Sequence, residues 1–195
     1  MILLALFFLS GFAALLYQVV WQRVLFSVYG IDITSVTVIV TVFMLGLGVG
    51  SIAGGALSNR MRNKALPLFA ALEAGIGLFG FFSLPLFDAV TMHTLNLSRV
   101  ATGLVTFGLL LVPTTLMGAT LPLLVSHATA KSHNVGRSVG ALYFANTLGA
   151  AVGAAAASMF LLGLLGLLTT VNVAAMINIA LAVGVWLVWR KGDEA

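Results

Sequence analysis

There is no cysteine among the 195 residues, which excludes disulfides and thiolate metal sites. Charge is nearly as scarce. Only 7% of residues are Asp, Glu, Lys or Arg, against about 25% in a soluble domain. So few charges cannot cover a globule facing water, and a sizeable soluble domain is excluded. Acids are the rarest charged class, five against nine Lys and Arg. The three histidines do not help. His127 and His133 have no acid at ligand spacing, so no metal site is expected. No nucleophile–base pair is visible either, so neither an enzyme nor a cofactor is expected. No Lys or Arg precedes the first apolar run, so the N-terminus does not read as a cleaved signal peptide.

What remains is apolar. The chain is 61% hydrophobic with a mean hydropathy of +1.16. Six runs exceed the roughly 20 residues that a bilayer requires: 2–29, 32–58, 65–87, 99–128, 136–163 and 167–189. The breaks are YGID (Tyr29–Asp32), the charged loop SNRMRNKALP (Ser58–Pro67), the polar stretch Phe87–Arg99, the basic loop His127–Arg137 and the minimal turn GLLG (Gly163–Gly166). Arg60, Arg62, Lys64, Lys131, Arg137, Arg190 and Lys191 fall on one side. Arg23 and Arg99 fall on the other, with Asp32 and Asp88. The excess places both termini in the cytoplasm of an inner (plasma) membrane protein. The basic clusters are thus a topology signal, and no nucleic-acid partner is expected.

The second run carries Gly46, Gly50 and Gly54, and the fifth carries Ala145, Gly149, Gly153 and Ala157, all at four-residue spacing. Such stripes let helix backbones approach closely in lipid. Each lies on the second helix of a three-helix unit. The expectation is one all-α membrane domain over 1–195, built from two inverted three-helix repeats at about 1–90 and 97–190, as in transporters.

Polar residues inside the runs are the candidate site. On an ideal helix of 100° per residue, Ser10, Gly11, Ala14, Tyr17, Gln18, Trp21 and Gln22 share a face. Leu9, Phe12, Leu16, Val19, Val20 and Arg23 share the other. Tyr17 and Trp21 read either as path lining or as an interfacial aromatic belt or inter-helix packing. A glutamine facing lipid is costly, so Gln18 is expected to face a cavity or another helix. Arg23 is expected to snorkel or pair with Asp32.

Glu73 is the one acid inside a run. It reads either as a functional carboxylate or as a partner of Arg62 or Arg137. In the fourth run Thr102, Thr106, Pro113, Thr114, Met117 and Thr120 share a face, where proline-freed carbonyls line a path or simply accommodate a kink. Tyr143, Asn146, Asn172 and Asn178 read as inter-helix hydrogen bonders.

Five stretches in order carry a resemblance: SGFAALLYQVVWQR (Ser10–Arg23), FMLGLGVGSIAGGALSNR (Phe43–Arg60), LEAGIGL (Leu72–Leu78), LMGATLPLL (Leu116–Leu124) and GALYFANTLGAAVGA (Gly140–Ala154). Together they resemble the membrane region of the fused spermidine-synthase-like proteins, described as a major-facilitator-like segment ahead of an aminopropyltransferase-like domain. No strand–glycine–helix pattern follows here, so polyamine synthesis is not expected of this chain. The family often carries an acid after the tyrosine, where this sequence has Gln18. GGALSNRMRNK (Gly54–Lys64) is also similar to the facilitator loop motif between the second and third spans. Gly55, Leu57, Arg60 and Lys64 match, Asn59 replaces an Asp and Arg62 a Gly. The resemblance implies a cytoplasmic gate of Asn59, Arg60, Arg62, Lys64 and Arg137.

A six-helix chain is half a facilitator, and a parallel homodimer would rebuild the whole. The expected function is a small secondary transporter of a small polar metabolite. Its path is assigned to Tyr17, Gln18, Trp21, Glu73, Thr114, Met117, Thr120, Tyr143 and Asn146. The alternative is a non-transporting membrane anchor or assembly subunit whose partner is a separate soluble enzyme.

Overall fold

A lipid solvent offers no hydrogen bonds, so a chain with this much apolar sequence must satisfy its backbone internally. It does so with helices. The structure, a computed structural model, describes residues 1–29, 33–94 and 98–193; side chains at 27–29, 33–35, 62, 99–100, 131 and 191–193 are outside the description. The expected YGID turn, the Arg23–Asp32 pairing, and the side chains of Arg62, Arg99, Lys131 and Lys191 therefore lie outside the described residues. The helices are α1 (Ile2–Tyr29), α2 (Ile33–Arg60), α3 (Ala65–Thr94), α4 (Arg99–Ser132), α5 (Val135–Ala156) and α6 (Leu162–Asp193). A 3-10 turn at Arg62–Lys64 leads into α3, and a π-helical segment at Ala157–Leu161 joins α5 to α6.

The division into six separate spans is corrected in one place. Among the described residues, five continuous helical stretches are long and apolar enough to cross a membrane, and the fifth runs over Val135–Arg190. A straight helix of its 56 residues would be about 84 Å long, far beyond a hydrocarbon core of about 30 Å. It contains one non-helical residue, Gly166, at φ 73° and ψ 179°. Only glycine adopts that backbone readily. The expected turn over 163–166 thus narrows to a single residue, because Gly163, Leu164 and Leu165 stay helical.

Two other boundaries move outward. The stretch after Phe87 is helical to Thr94 rather than loop. Thr91 and Thr94 donate their hydroxyls to the carbonyls of Phe87 (2.8 Å) and Val90 (2.7 Å), so these polar residues bond their own helix instead of ending it. Helix α4 runs through the basic loop to Ser132. His133 then takes a left-handed φ of 52°, and Asn134 caps α5 by accepting from the Arg137 amide at 2.9 Å.

The helices pair across the two halves. Helix α2 packs chiefly on α4, α1 on α5, and α3 on α6, with α3–α4 and α1–α6 next. Exchanging the first three helices for the last three maps this set onto itself. The close crossings match residue by residue. A Cβ at Gly50 or Gly54 would strike the carbonyls of Thr115 or Ala119, and one at Gly118 that of Leu47. In the other crossing, a Cβ at Gly149 or Gly153 would strike the carbonyls of Phe8 or Phe12, and one at Gly11 that of Asn146. Each α4 residue here is 107 positions after its α1 counterpart, and each α5 residue 99 after its α2 counterpart.

Two apolar clusters fill the bundle. One centres on Leu16, Trp21, Phe43 and Phe87, the other on Phe7, Phe69, Leu123 and Val185. Large apolar side chains such as Met44, Ile52, Phe82 and Leu104 stay exposed on the outside. That surface and the five helical stretches are compatible with a multi-pass membrane protein.

Candidate functional site

Between the two clusters lies a small polar knot. Ser10 and Tyr17 reach it from α1, Glu73 from α3 and Asn178 from α6. Ser10 and Tyr17 are seven residues apart, two turns on one face of α1. The Ser10 hydroxyl donates to Glu73 Oε1 at 2.6 Å. The Asn178 side-chain Nδ2 donates to Glu73 Oε2. The Tyr17 hydroxyl donates to Asn178 Oδ1 at 3.1 Å. Glu73 and Tyr17 are fully buried, and Asn178 and Ser10 nearly so. Gly80 makes room for the Tyr17 ring, since a Cβ there would sit 2.5 Å from its hydroxyl oxygen.

Among the described residues no basic side chain pairs with Glu73. Arg137 is exposed, which removes it as the expected partner of a buried carboxylate. When Glu73 is ionised, its two hydrogen bonds are charge-assisted, each about 1.5–3 kcal/mol, and offset part of the several-kcal/mol cost of burying a charge.

The knot forms the back wall of a cleft of about 170 Å³. Ser10 and Asn178 line it, with Asn146 and Tyr143 from α5, Ser51 and Leu47 from α2, Met117, Gly118 and Thr120 from α4, and Ile76 from α3. Several lining residues are counterparts in the crossings described above: Ser10 with Met117, Ala14 with Leu121, and Leu47 with Asn146. The cleft therefore sits where the two halves meet.

The expected path residues divide into three groups. Met117, Thr120, Tyr143 and Asn146 line the cleft, and Tyr17 and Glu73 lie behind it. Asn146 donates to the Phe7 carbonyl at 3.2 Å, tying α5 to α1, whereas Tyr143 is 60% exposed. Thr114 is buried, but its hydroxyl bonds its own helix at Leu110 (2.8 Å) and it meets Gly46. Trp21 is fully buried among the helices. It stacks on Tyr17 at 5.0 Å and meets Phe43, Phe79 and Phe87, and its buried indole nitrogen has no partner among the described residues.

Gln18 is half-buried and outside both the cleft and the knot. The buried face of α1 is rotated from the expected one, for Leu16 and Val20 are fully buried. The helix is covered from both flanks by α5 and α6, so a one-sided polar stripe does not describe it. Ser51, Leu47 and Gly118 were not expected at the site. Gly118 carried a signal in the sequence, a small residue between two prolines. Asn172 makes no hydrogen bond among the described residues.

The expected gate residues cluster apart from the cleft. Asn59, Arg60 and Lys64 line an open hollow of about 530 Å³ at the start of α3. Asn59 also lines a larger one of about 760 Å³ with Ser58, Asn63, Thr129 and His133. Arg137 is exposed beyond them, and the backbone of Arg62 lies in the 3-10 turn between α2 and α3.

No family model matches this chain, and no solved structure does. Among curated proteins it is similar to Polyamine aminopropyltransferase 2 of Streptomyces coelicolor, with 31% identity over 195 residues. The alignment covers 95% of this chain and 34% of that protein. The chain thus spans about a third of the length of the curated relative it matches. The similarity fits a membrane region of the kind fused in spermidine-synthase-like proteins.

Proposed function

We propose that this chain is a small secondary transporter that binds a small polar metabolite in the cleft in front of Glu73. The observation that carries the reading is a fully buried carboxylate without a basic partner among the described residues, held by Ser10 and Asn178, which both line that cleft. An ionisable group kept inside a membrane bundle is costly and is by default a candidate for a substrate or ion path. On this reading the two halves are inverted repeats, and the helices on either side of Gly166 are two separate crossings. The fold is then half of a major-facilitator-like architecture, with the cleft at the repeat interface where transporters bind their solutes.

A parallel homodimer completes the proposal. The cleft opens between α2 and α5, where Leu47, Ser51, Tyr143 and Thr147 are exposed. A second copy placed over that face would enclose both clefts and cover polar groups that lipid serves poorly. The native chain has no cysteine, so Ser51→Cys alone reports this contact. A disulfide-linked dimer is expected in membranes under mild oxidation, and Met92→Cys, exposed on α3, is expected to remain monomeric. For the transport function, the purified protein in proteoliposomes is offered labelled amino acids, amines and nucleosides. Uptake of one class, lost in Asn178→Leu, is the expected result; no uptake and no binding of any of them removes the reading.

The similarity to an aminopropyltransferase favours a second reading, a membrane anchor or assembly subunit for a separate soluble enzyme. Under it the chain retains such an enzyme from a native extract and binds no solute.

A further inference from the structure

Glu73 does more than close the back of the cleft. Both of its oxygens accept hydrogen bonds, one from Ser10 and one from Asn178, and an ionised carboxylate can only accept. Among the residues whose side chains are described, the titratable and charged groups on the helices around it are Tyr17 and Arg23 on α1, His127 on α4, Arg190 on α6, and Asp88 and His93 on α3 itself; Tyr29, Arg99, Lys131, Lys191 and Asp193 lie outside that description. Among the described residues, only Tyr17 joins its network, and it does so through Asn178. The carboxylate thus faces neutral donors on every side that is described, one residue away from a largely apolar cleft into which Ser10 and Asn178 also face.

We propose that Glu73 is a proton-binding site that exchanges with the cleft, and that the side-chain amide of Asn178 turns over when the proton arrives. The deeper purpose, coupling to a solute, rests on the transport reading; the exchange itself does not. The step balances simply. A hydronium ion in the cleft gives up one proton: one of its O–H bonds breaks, one O–H bond forms on Glu73 Oε2, and a water molecule is left. With its new hydrogen directed at Asn178, Oε2 meets the amide nitrogen donor to donor, and the two repel. A half-turn of the amide puts Asn178 Oδ1 opposite Oε2–H and Nδ2 opposite the Tyr17 oxygen, which can accept. Glu73 Oε1 still accepts from Ser10. The pairs among Ser10, Glu73, Asn178 and Tyr17 are therefore filled in both states, without backbone movement. Leucine at 178 could fill neither set.

The turnover has a built-in reporter. Tyr17 stacks on Trp21 at 5.0 Å with 24° between the rings. Tyr17 changes from donor to acceptor toward Asn178 when Glu73 is protonated, and Trp21 is the ring that lies against it. The other two tryptophans, Trp186 and Trp189, are near the far end of α6 and can be replaced by phenylalanine.

The experiment uses the full chain in lipid nanodiscs with Trp186→Phe and Trp189→Phe. Two signals are followed through a pH titration without any solute: Trp21 emission and the carbonyl infrared band of a protonated carboxylic acid. The other four acids also give such a band, so the infrared signal is read as the difference between this chain and its Glu73→Gln variant. The expected result is one single-proton transition in that difference, with the same midpoint as a Trp21 transition that is absent in Glu73→Gln. Asn178→Leu is expected to keep the infrared transition and lose the fluorescence one. Should Glu73→Gln fail to fold, Ser10→Ala takes its place. It removes a donor to the ionised form and must move the infrared midpoint. A Trp21 transition unchanged in Glu73→Gln overturns the proposal, as does an infrared band that never titrates or a midpoint that Ser10→Ala leaves in place. Titration without uptake of any metabolite class in proteoliposomes removes the transport reading and leaves the proton site. Uptake without titration does the reverse.

Discussion

Ser10, Tyr17, Glu73 and Asn178 lie on three helices, so each of their hydrogen bonds is also a tie across the bundle. Tyr17→Phe keeps the ring and its stack on Trp21 and removes one bond. Thermal unfolding in detergent is expected to place its cost at about 0.6–2 kcal/mol, the range for a hydrogen bond between membrane helices. Asn178→Leu leaves both Glu73 and Tyr17 without that partner, and its cost is expected to be larger by about 1–3 kcal/mol for the stranded groups. Gln18→Leu, outside the network, is expected to change neither stability nor uptake measurably. Much of this was legible residue by residue: Glu73 is the one acid within an apolar run, and Tyr17 and Asn178 stand out as polar. That they meet was not. The bonds from Glu73 to Ser10 and to Asn178 span 63 and 105 residues of sequence, a separation no local pattern encodes. Gln18 was misplaced because a helical wheel supposes one buried face, and α1 is buried on two flanks.

The glycine stripes behave as elements rather than as single residues. Gly50→Leu and Gly149→Leu each drive a side chain into a carbonyl of the facing helix. Forcing a core apart in this way costs about 1–3 kcal/mol or more. Because the two crossings match position for position, the two substitutions are expected to cost similar amounts, read as loss of folded protein on detergent titration. Gly48→Ala and Gly103→Ala have nothing within 4 Å of the added Cβ and are expected to leave stability unchanged or slightly raised. The stripes were readable from four-residue spacing alone. The helix ends were less so, because threonines such as Thr91 and Thr94 count as polar in sequence and bond their own helix in the structure.

At the scale of the whole molecule, Gly166 decides the number of crossings. If Val135–Leu165 and Leu167–Arg190 each cross the bilayer, the C-terminus returns to the side of the N-terminus. Reporter fusions after Met1 and after Ala195 are expected to give the same signal, and a fusion near Asp88 the opposite one. Unlike signals from the two ends would mean a single crossing after Val135 and would remove the parallel homodimer with the inverted repeat. The matched crossings carry one further consequence. From Gly11 to Gly50 the first hairpin takes 39 residues, while its counterpart from Gly118 to Gly149 takes 31. The difference, shared between two helices, is about one turn each, or roughly 6 Å of height. The bundle is therefore taller on the face that holds the α1–α2 hairpin. If the two hairpins face opposite leaflets, a bilayer of even thickness would meet unequal helix heights on its two sides, which the lipids would relieve by stretching or the bundle by tilting.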